Sequence, residues 1–243
     1  AKVGENFGSI VGPDFQRNEK GDILIDPQTG LPQYDKSNHV LGNASWDWTG
    51  GLLTNFTYKN VSLVAVFDVK VGADLYSMSA RAAHESGKSP ETLAGRDAWY
   101  RSEEERLAAG IAKGADNWKP TGGFVAPGVI DNGDGTYRPN DIYINPEDYW
   151  MSVCRNAPSM FIYDNSYVKC RELTLSYNVP KSWLKNVISG LTVSFVARNP
   201  FIVWKNIPNI DPDSNYNNTT GMGLEYGSLP SRRSYGFNVN VKF

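Results

Sequence analysis

Alternation over residues 232–243 constrains this chain more than any other feature: Tyr235, Phe237, Val239, Val241 and Phe243 fall on one face, and Ser234, Gly236, Asn238, Asn240 and Lys242 on the other. A period of two marks a strand with two unlike faces. A half-buried soluble strand shows the same period, usually over a shorter run. This one is long enough for the roughly 9–11 residues of a membrane-crossing barrel strand, keeps its second face polar or small, and stops on an aromatic.

The bulk properties agree with that reading. With 243 residues and 40% hydrophobic content, the chain can hold one large β domain or two small ones. It contains no run near the roughly 18 apolar residues of a transmembrane helix, whereas alternation dilutes a barrel strand to ordinary hydrophobicity. The net charge of −2 and the lack of a basic stripe argue against nucleic acid as a partner. Cys154 and Cys170 read as two unlinked thiols in unlike surroundings, a disulfide being the alternative. No charged n-region, apolar h-region or cleavage site opens the sequence, and its start reads as the interior of a larger polypeptide. The expectation is a C-terminal fragment.

Two short β-prone pieces, at residues 8–11 and 23–25, suggest small hairpins outside any main sheet. Residues 52–58 and 61–71 then alternate on either side of Lys59-Asn60, a dipeptide suited to a two-residue hairpin turn because Asn tolerates positive φ. That turn places Tyr58 opposite Val61, Phe56 opposite Leu63, Thr54 opposite Ala65 and Leu52 opposite Phe67, all on one face. Asn55, Thr57, Ser62, Asp68 and Lys70 fall on the other, although Leu53, Val64 and Val66 intrude there. One oily wall and one mixed wall fit a lipid-facing exterior and a watery lumen.

Residues 73–165 are too long for a simple connection and read as a long loop with its own structure. Ser89-Pro90-Glu91 is a helix start, and the helix runs to Ala109, with a break near Gly95 and a stop at Gly110. A strand over residues 167–179 ends at Pro180. A short connection over 180–190, with a helical turn near Trp183 and Leu184, leads to a returning strand from Leu191. A second long loop spans residues 203–231. Short turns thus lie at one end of the strands and long loops at the other, the plan of outer-membrane barrels.

Several stretches together resemble the C-terminal end of the SusC/RagA-type TonB-dependent outer-membrane transporters. They are Val40-Leu-Gly-Asn43, Trp48-Thr-Gly-Gly51, Asn55-Phe-Thr-Tyr-Lys59, Gly72-Ala-Asp-Leu-Tyr76, the run Tyr167-Val-Lys-Cys-Arg-Glu-Leu-Thr-Leu-Ser-Tyr-Asn178 with Pro180, Arg198-Asn199, Ile210-Asp-Pro-Asp213, and Tyr226-Gly227 before the terminal strand. The resemblance implies an all-β fold, the last strands of an antiparallel transmembrane barrel of about 22 strands when complete, with a short helix in its long extracellular loops. Residues 1–243 would form the C-terminal part of that barrel, without its plug and earlier strands. The remaining strands and plug would come from other polypeptide, because an open sheet edge in a bilayer leaves backbone groups unsatisfied.

The same resemblance implies nutrient import, of an oligosaccharide or oligopeptide, energised by TonB and lidded by a SusD-like surface lipoprotein. It places the loops outside the cell and the C-terminus in the periplasm. The aromatic face Tyr235, Phe237, Val239, Val241 and Phe243 would be the signal read by the barrel assembly machinery. The rival from another class is a surface-exposed β-sandwich that binds glycan without transport; a third reading is a barrel hydrolase.

Enzymatic chemistry has little support. His39 and His84 lie in no motif and read as surface residues, no Gly-x-Ser-x-Gly elbow is present, and nothing positions a carboxylate pair. No cofactor is expected. Asp131-Asn-Gly-Asp-Gly135 offers Asn132, Asp134 and Asp141 as weak calcium candidates, but Ile130 would stand at the first ligand position, so an Asx-rich turn is the expectation. Asp211 and Asp213 read as parts of a structural loop. Trp99, Tyr100, Trp118, Tyr149, Trp150, Trp204, Tyr216 and Tyr226 lie in or beside the long loops, where flat rings can stack on sugars or peptides. The expectation is that most fill small loop cores and one or two face ligand or lid.

Overall fold

The computed structural model describes residues 4–184, 188–214 and 221–243. Its strands are, in chain order, β1 (Ser9–Phe15), β2 (Tyr34–Asn43), β3 (Trp48–Tyr58), β4 (Val61–Val71), β5 (Asp74–Ser77), β6 (Phe124–Val125), β7 (Val129–Asp131), β8 (Tyr137–Pro139), β9 (Tyr143–Ile144), β10 (Ile162–Asp164), β11 (Tyr167–Asn178), β12 (Gly190–Lys205), β13 (Leu224–Glu225) and β14 (Ser234–Lys242). The α-helices are α1 (Met78–Glu85), α2 (Arg96–Ala108) and α3 (Pro146–Asn156). Two compact units result: Ala1–Gly42 with Tyr76–Ile162, the loop unit, and Asn43–Leu75 with Tyr163–Phe243, the wall unit.

The wall unit is built on a five-stranded antiparallel sheet in the order β14-β12-β11-β4-β3. The hairpin β3–β4 has the register that the Lys59-Asn60 turn predicts, with Tyr58 opposite Val61, Phe56 opposite Leu63, Thr54 opposite Ala65 and Leu52 opposite Phe67. Its positive φ falls on Lys59, at 52°, rather than on Asn60. Strand β3 begins four residues before the alternation becomes strict, because Thr49, Gly50 and Gly51 hide the pattern. Strand β12 runs on to Lys205, beyond the expected start of the second loop.

Register carries each face across all five strands. One rung reads Phe56, Leu63, Leu175, Phe195, Phe237, and the next Tyr58, Val61, Tyr177, Val193, Val239. The rung on the opposite face reads Thr57, Ser62, Ser176, Ser194, Asn238. Ser176 and Ser194 hydroxyls bond across it at 2.8 Å, and Thr57 and Ser62 at 3.1 Å. The apolar face is uncovered: Phe56 is 68% exposed and Phe237 80%. Small residues on the same face, Ala65 and Ala197, are buried.

The loop unit buries its apolar side chains in a core of its own. Helix α3 starts at Asn145, whose side chain accepts the Glu147 amide, with Pro146 in the first turn, Glu147 and Asp148 beside it and Arg155 in the last turn. Its buried stripe is Tyr149, Trp150, Val153 and Cys154. Tyr34 and Ser152 hydroxyls bond at 2.9 Å, and Ser159 donates to Asp14, which ties β2 and β1 into the same core. Helices α1 and α3 lie inside the stretch expected to be a long loop, and α1 is short, with a Ser77 cap. The expected helical segment from Glu91 has its break at Gly95: a 3-10 turn, Pro90–Leu93, comes before it and α2 after it. Gly95 has φ of +78°, and a Cβ there would lie 2.7 Å from the Gly123 backbone, so the break needs glycine twice over. Gly110, also at positive φ, follows the end of α2 as expected.

Candidate functional site

Two features of the wall unit bear on function, and the first is the sheet's two-faced character. The apolar face carries aromatics at both ends: Trp48 and Trp204 at one, Tyr58 and Tyr177 at the other, with Trp48 56% and Trp204 46% exposed. Interfacial aromatic girdles flank an apolar band of roughly 25 Å in membrane barrels. Trp204 was expected in a loop facing ligand; it is on β12, on the apolar face, because the strand continues past residue 203.

The second feature is a knot of charge on the polar face. Arg171 is skipped in the pairing of β11 with both neighbours, so it is the extra residue of a bulge. The bulge brings its guanidinium to the side of the sheet that holds Tyr167, Lys169 and Asp68. Lys169, fully buried, donates to Asp211 at 3.1 Å and Asp213 at 2.6 Å, and also to Ser231. Asp213 further accepts Nη2 of Arg171 at 2.9 Å and the Tyr167 hydroxyl at 2.8 Å, while Arg171 Nε reaches Asp68 at 3.1 Å. Burial alone would raise the Asp213 carboxyl, but donors from Arg171, Lys169 and Tyr167 outweigh it and hold the group well below the usual carboxylate range. Asp211 is lowered in the same way, burial being outweighed by bonds from Ser231, the Asp213 amide and Lys169. The Asp211-Pro212-Asp213 stretch therefore has the structural role expected of it: it fastens the second loop to the polar face of the wall.

In the loop unit, three of the candidate aromatics converge. Trp99, Tyr100 and Trp150 line a cavity of about 250 Å³ together with His84, Arg96 and Glu147. His84 is not a surface residue as its isolation in the sequence implied; it is buried on α1, its ring 4.7 Å from that of Trp150 and 5.4 Å from that of Phe161. Its Nδ1 donates to the Ala80 carbonyl at 2.8 Å and its Nε2 meets the Glu91 carboxylate. That hydrogen bond holds Glu91 below its ordinary value. Nothing in the sequence marks His84; it became legible only when α1 turned it toward Trp150.

The other candidates are scattered. Tyr149 is buried in the core beside Phe124 and Trp150 and its phenol is pushed up to about 12 by burial. Trp118 is half-buried, with its indole N–H unpartnered among the described residues. Tyr226 is 54% exposed in the wall unit, and Tyr216 lies outside the described residues. Asp131 and Asp134 accept the Gly133 and Thr136 amides in an Asx-turned hairpin β7–β8. Asp141 pairs with Arg138 at 2.6 Å, and the Asn132 amide donates to Thr136, so the calcium candidates are engaged in the turn itself. Cys154 and Cys170 are free and buried, and burial pushes the Cys154 thiol up to about 11.

No family model matches the chain. It is 33% identical over 95 residues to the TonB-dependent receptor P3 of Formosa agariphila, a match covering 37% of this chain and 10% of that receptor. Among solved structures, the RagAB peptide importer in its closed-closed state superposes on 97% of this chain with a TM-score of 0.57 at 17% identity, and the RagAB peptide transporter does so with 0.57 at 18%. The chain spans 23% and 22% of those two chains. Both findings bear out the resemblance read from the sequence: the chain is similar to a fragment of a SusC/RagA-like TonB-dependent transporter, in fold over nearly its whole length and in sequence over 95 residues.

Proposed function

We propose that this chain forms part of the wall and of the extracellular loops of an outer-membrane transporter that imports an oligosaccharide or oligopeptide. The carrying observation is the five-stranded sheet with one uncovered apolar face, girdled by aromatics, and one mixed face that holds the polar rungs along with Leu53, Val64, Val66 and Val196. In water such a face exposes far more contiguous apolar surface than a soluble protein carries; against lipid it is the stable arrangement. A sandwich module would bury Phe56, Leu175 and Phe237 under a second sheet, and they are open. The similar proteins are a receptor and importers, in keeping with a chain that is not an enzyme.

In this reading, residues 73–165 and 206–231 hold the extracellular loops, β12 carrying the wall as far as Lys205, and the free edges of β3 and β14 pair with barrel strands from the rest of the polypeptide, which also supplies the plug. TonB acts on that plug, and a SusD-like lipoprotein closes over the loops. The C-terminus lies at the periplasmic side. Fluorophores placed singly at Phe56, Leu63, Ser62 and Ser194 of the full protein in lipid nanodiscs test the arrangement. Quenching by lipid-borne quenchers at the first two positions and by aqueous quenchers at the last two is expected; the reverse pattern, or no lipid contact at Phe56, rejects it.

A further inference from the structure

We infer that the end of the sheet formed by the β3–β4 turn and the connection from β11 to β12 binds the headgroup of an anionic phospholipid, through the ammonium groups of Lys59 and Lys181. The site rests on the reading of the sheet as membrane wall, which makes the adjoining leaflet the periplasmic one. Charge is distributed unequally along the strands. Residues 52–67, 173–197 and 234–243 contain Lys59, Lys181, Lys185 and Lys242 and no Asp or Glu. Both signs occur at the other end, where Asp68, Glu172, Asp211 and Asp213 meet Lys169, Arg171 and Arg198. Among the described residues no carboxylate pairs with Lys59, Lys181 or Lys242. Lys185 lies outside the described residues.

Backbone pairing brings the two cations to one junction. The Asn60 carbonyl accepts the Asn178 amide at 2.8 Å. Lys59 stands next to Asn60 on the turn, and Lys181 follows Asn178 by three residues, opening the 3-10 turn Lys181–Trp183. Both lysines are exposed. The Lys59 ammonium lies 5.3 Å from the centre of the Tyr58 ring, and Tyr58 belongs to the apolar rung with Val61, Tyr177, Val193 and Val239. That ammonium is therefore on the side of the sheet that meets lipid. Tyr58 is 73% exposed and Trp183 68%. Rings and basic side chains at such a boundary bury their apolar parts and keep their polar tips among headgroups. The occupant must present acyl chains to the apolar face and negative charge to the rim beside it, which is the chemistry of a phospholipid. A soluble acidic protein offers the charge without the chains. A zwitterionic headgroup brings a cation of its own, and this rim has no carboxylate side chain among the described residues to receive it, so a net anionic headgroup is selected. Lys242 supplies an internal contrast, because the alternation puts it on the opposite face with Asn238 and Asn240.

The decisive experiment uses the full-length transporter in phosphatidylcholine nanodiscs, with a bimane attached through Ser182→Cys, an exposed position between Lys181 and Trp183. Brominated phosphatidylglycerol and brominated phosphatidylcholine are the probes. Half-maximal quenching should need about 25-fold less of the anionic lipid, about fivefold for each lysine, and added salt should weaken the preference. Lys59→Gln and Lys181→Gln should each cut it about fivefold and together abolish it, whereas Lys242→Gln should change it by less than about twofold. Equal quenching by the two lipids, a preference that the double variant retains, or an equal loss in Lys242→Gln overturns the site. Binding of soluble polyglutamate at Ser182 with no preference between the lipids gives the rim to an acidic protein and overturns the lipid site too. A second bimane, through Phe56→Cys, separates this outcome from the wall reading. Quenching there by both lipids, with no preference at Ser182, overturns the headgroup site alone; no quenching at either position by either lipid overturns the wall, and the site with it.

Discussion

The wall unit and the loop unit are supplied with the same kinds of large apolar side chain and place them in opposite ways. In the sheet, Phe56, Leu175 and Phe237 stand on an open face; in the loop unit, Phe161, Tyr149 and Val153 are at most 3% exposed. The difference lies in period. Side chains that recur every second residue along neighbouring strands make a broad flat face that needs an apolar surrounding medium. The α3 stripe Tyr149, Trp150, Val153, Cys154 recurs at three and four, and closes on α1 and the 3-10 turn Pro158–Phe161 without outside help. The apolar face of the wall is open, whereas the α3 stripe is packed.

Truncating a ring in each unit is the strongest way to break that contrast. Phe161→Ala should destabilise the loop unit by about 3–5 kcal/mol, the usual cost of emptying a packed aromatic site, whereas Phe237→Ala in detergent should cost less than about 1 kcal/mol. Thermal unfolding of the full protein, with limited proteolysis to report the loop unit, measures both. Equal losses would mean that the apolar face of the sheet is covered after all.

Within the wall, the knot on the polar face has one fully buried cation, Lys169, and a second, Arg171, nearer the surface. Lys169→Ala leaves Asp211 and Asp213 without their buried ammonium, and removing one partner of such a set costs about 3–5 kcal/mol. The second loop should then become sensitive to protease while the strands persist. The apolar face responds to the opposite change: Leu175→Arg should cost about 2–4 kcal/mol in lipid and little in detergent-free denaturant comparisons of the loop unit, so the two substitutions separate the faces.

Acid probes the knot more gently. The Asp211 and Asp213 carboxyls titrate lower in the folded chain than in an unfolded one. Their contribution is therefore complete above the ordinary Asp value of about 4 and is lost as pH falls below it toward the folded values. Protease resistance of the second loop should fall over that range, and Asp213→Asn should flatten the profile. A profile unchanged by the substitution would place the pH response elsewhere.

How much of this was legible differs between the same two units. The β3–β4 register followed from one dipeptide and eight alternating positions, and it holds residue for residue. The polar knot was only half legible: Asp211-Pro212-Asp213 could be read as structural, but the bulge at Arg171 that completes it leaves no local mark, because a bulge shows itself only through pairing with neighbours. In the loop unit, Asn145-Pro146-Glu147 carries the same start signals as Ser89-Pro90-Glu91, but the turn-like sequence around it masks them. His84 had no signal at all, since burial of a lone polar side chain depends on what folds over it.

The smallest expected effect on stability is at Phe243, and it separates the making of the wall from the wall itself. The residue is 94% exposed, and its carbonyl accepts the Ser189 hydroxyl at 3.2 Å. Phe243→Asp should therefore change the stability of assembled protein by no more than about 0.5 kcal/mol. It nevertheless ends the aromatic face Tyr235, Phe237, Val239, Val241 that the resemblance assigns to barrel assembly. Outer-membrane abundance should fall several-fold, while the protein that does assemble keeps its unfolding transition and its ligand affinity. Normal abundance would sever the terminal aromatic from assembly and leave the alternating face to be explained by lipid contact alone. A lowered unfolding transition would instead show that Phe243 packs against a neighbouring strand, which would make the end of β14 part of a closed barrel seam.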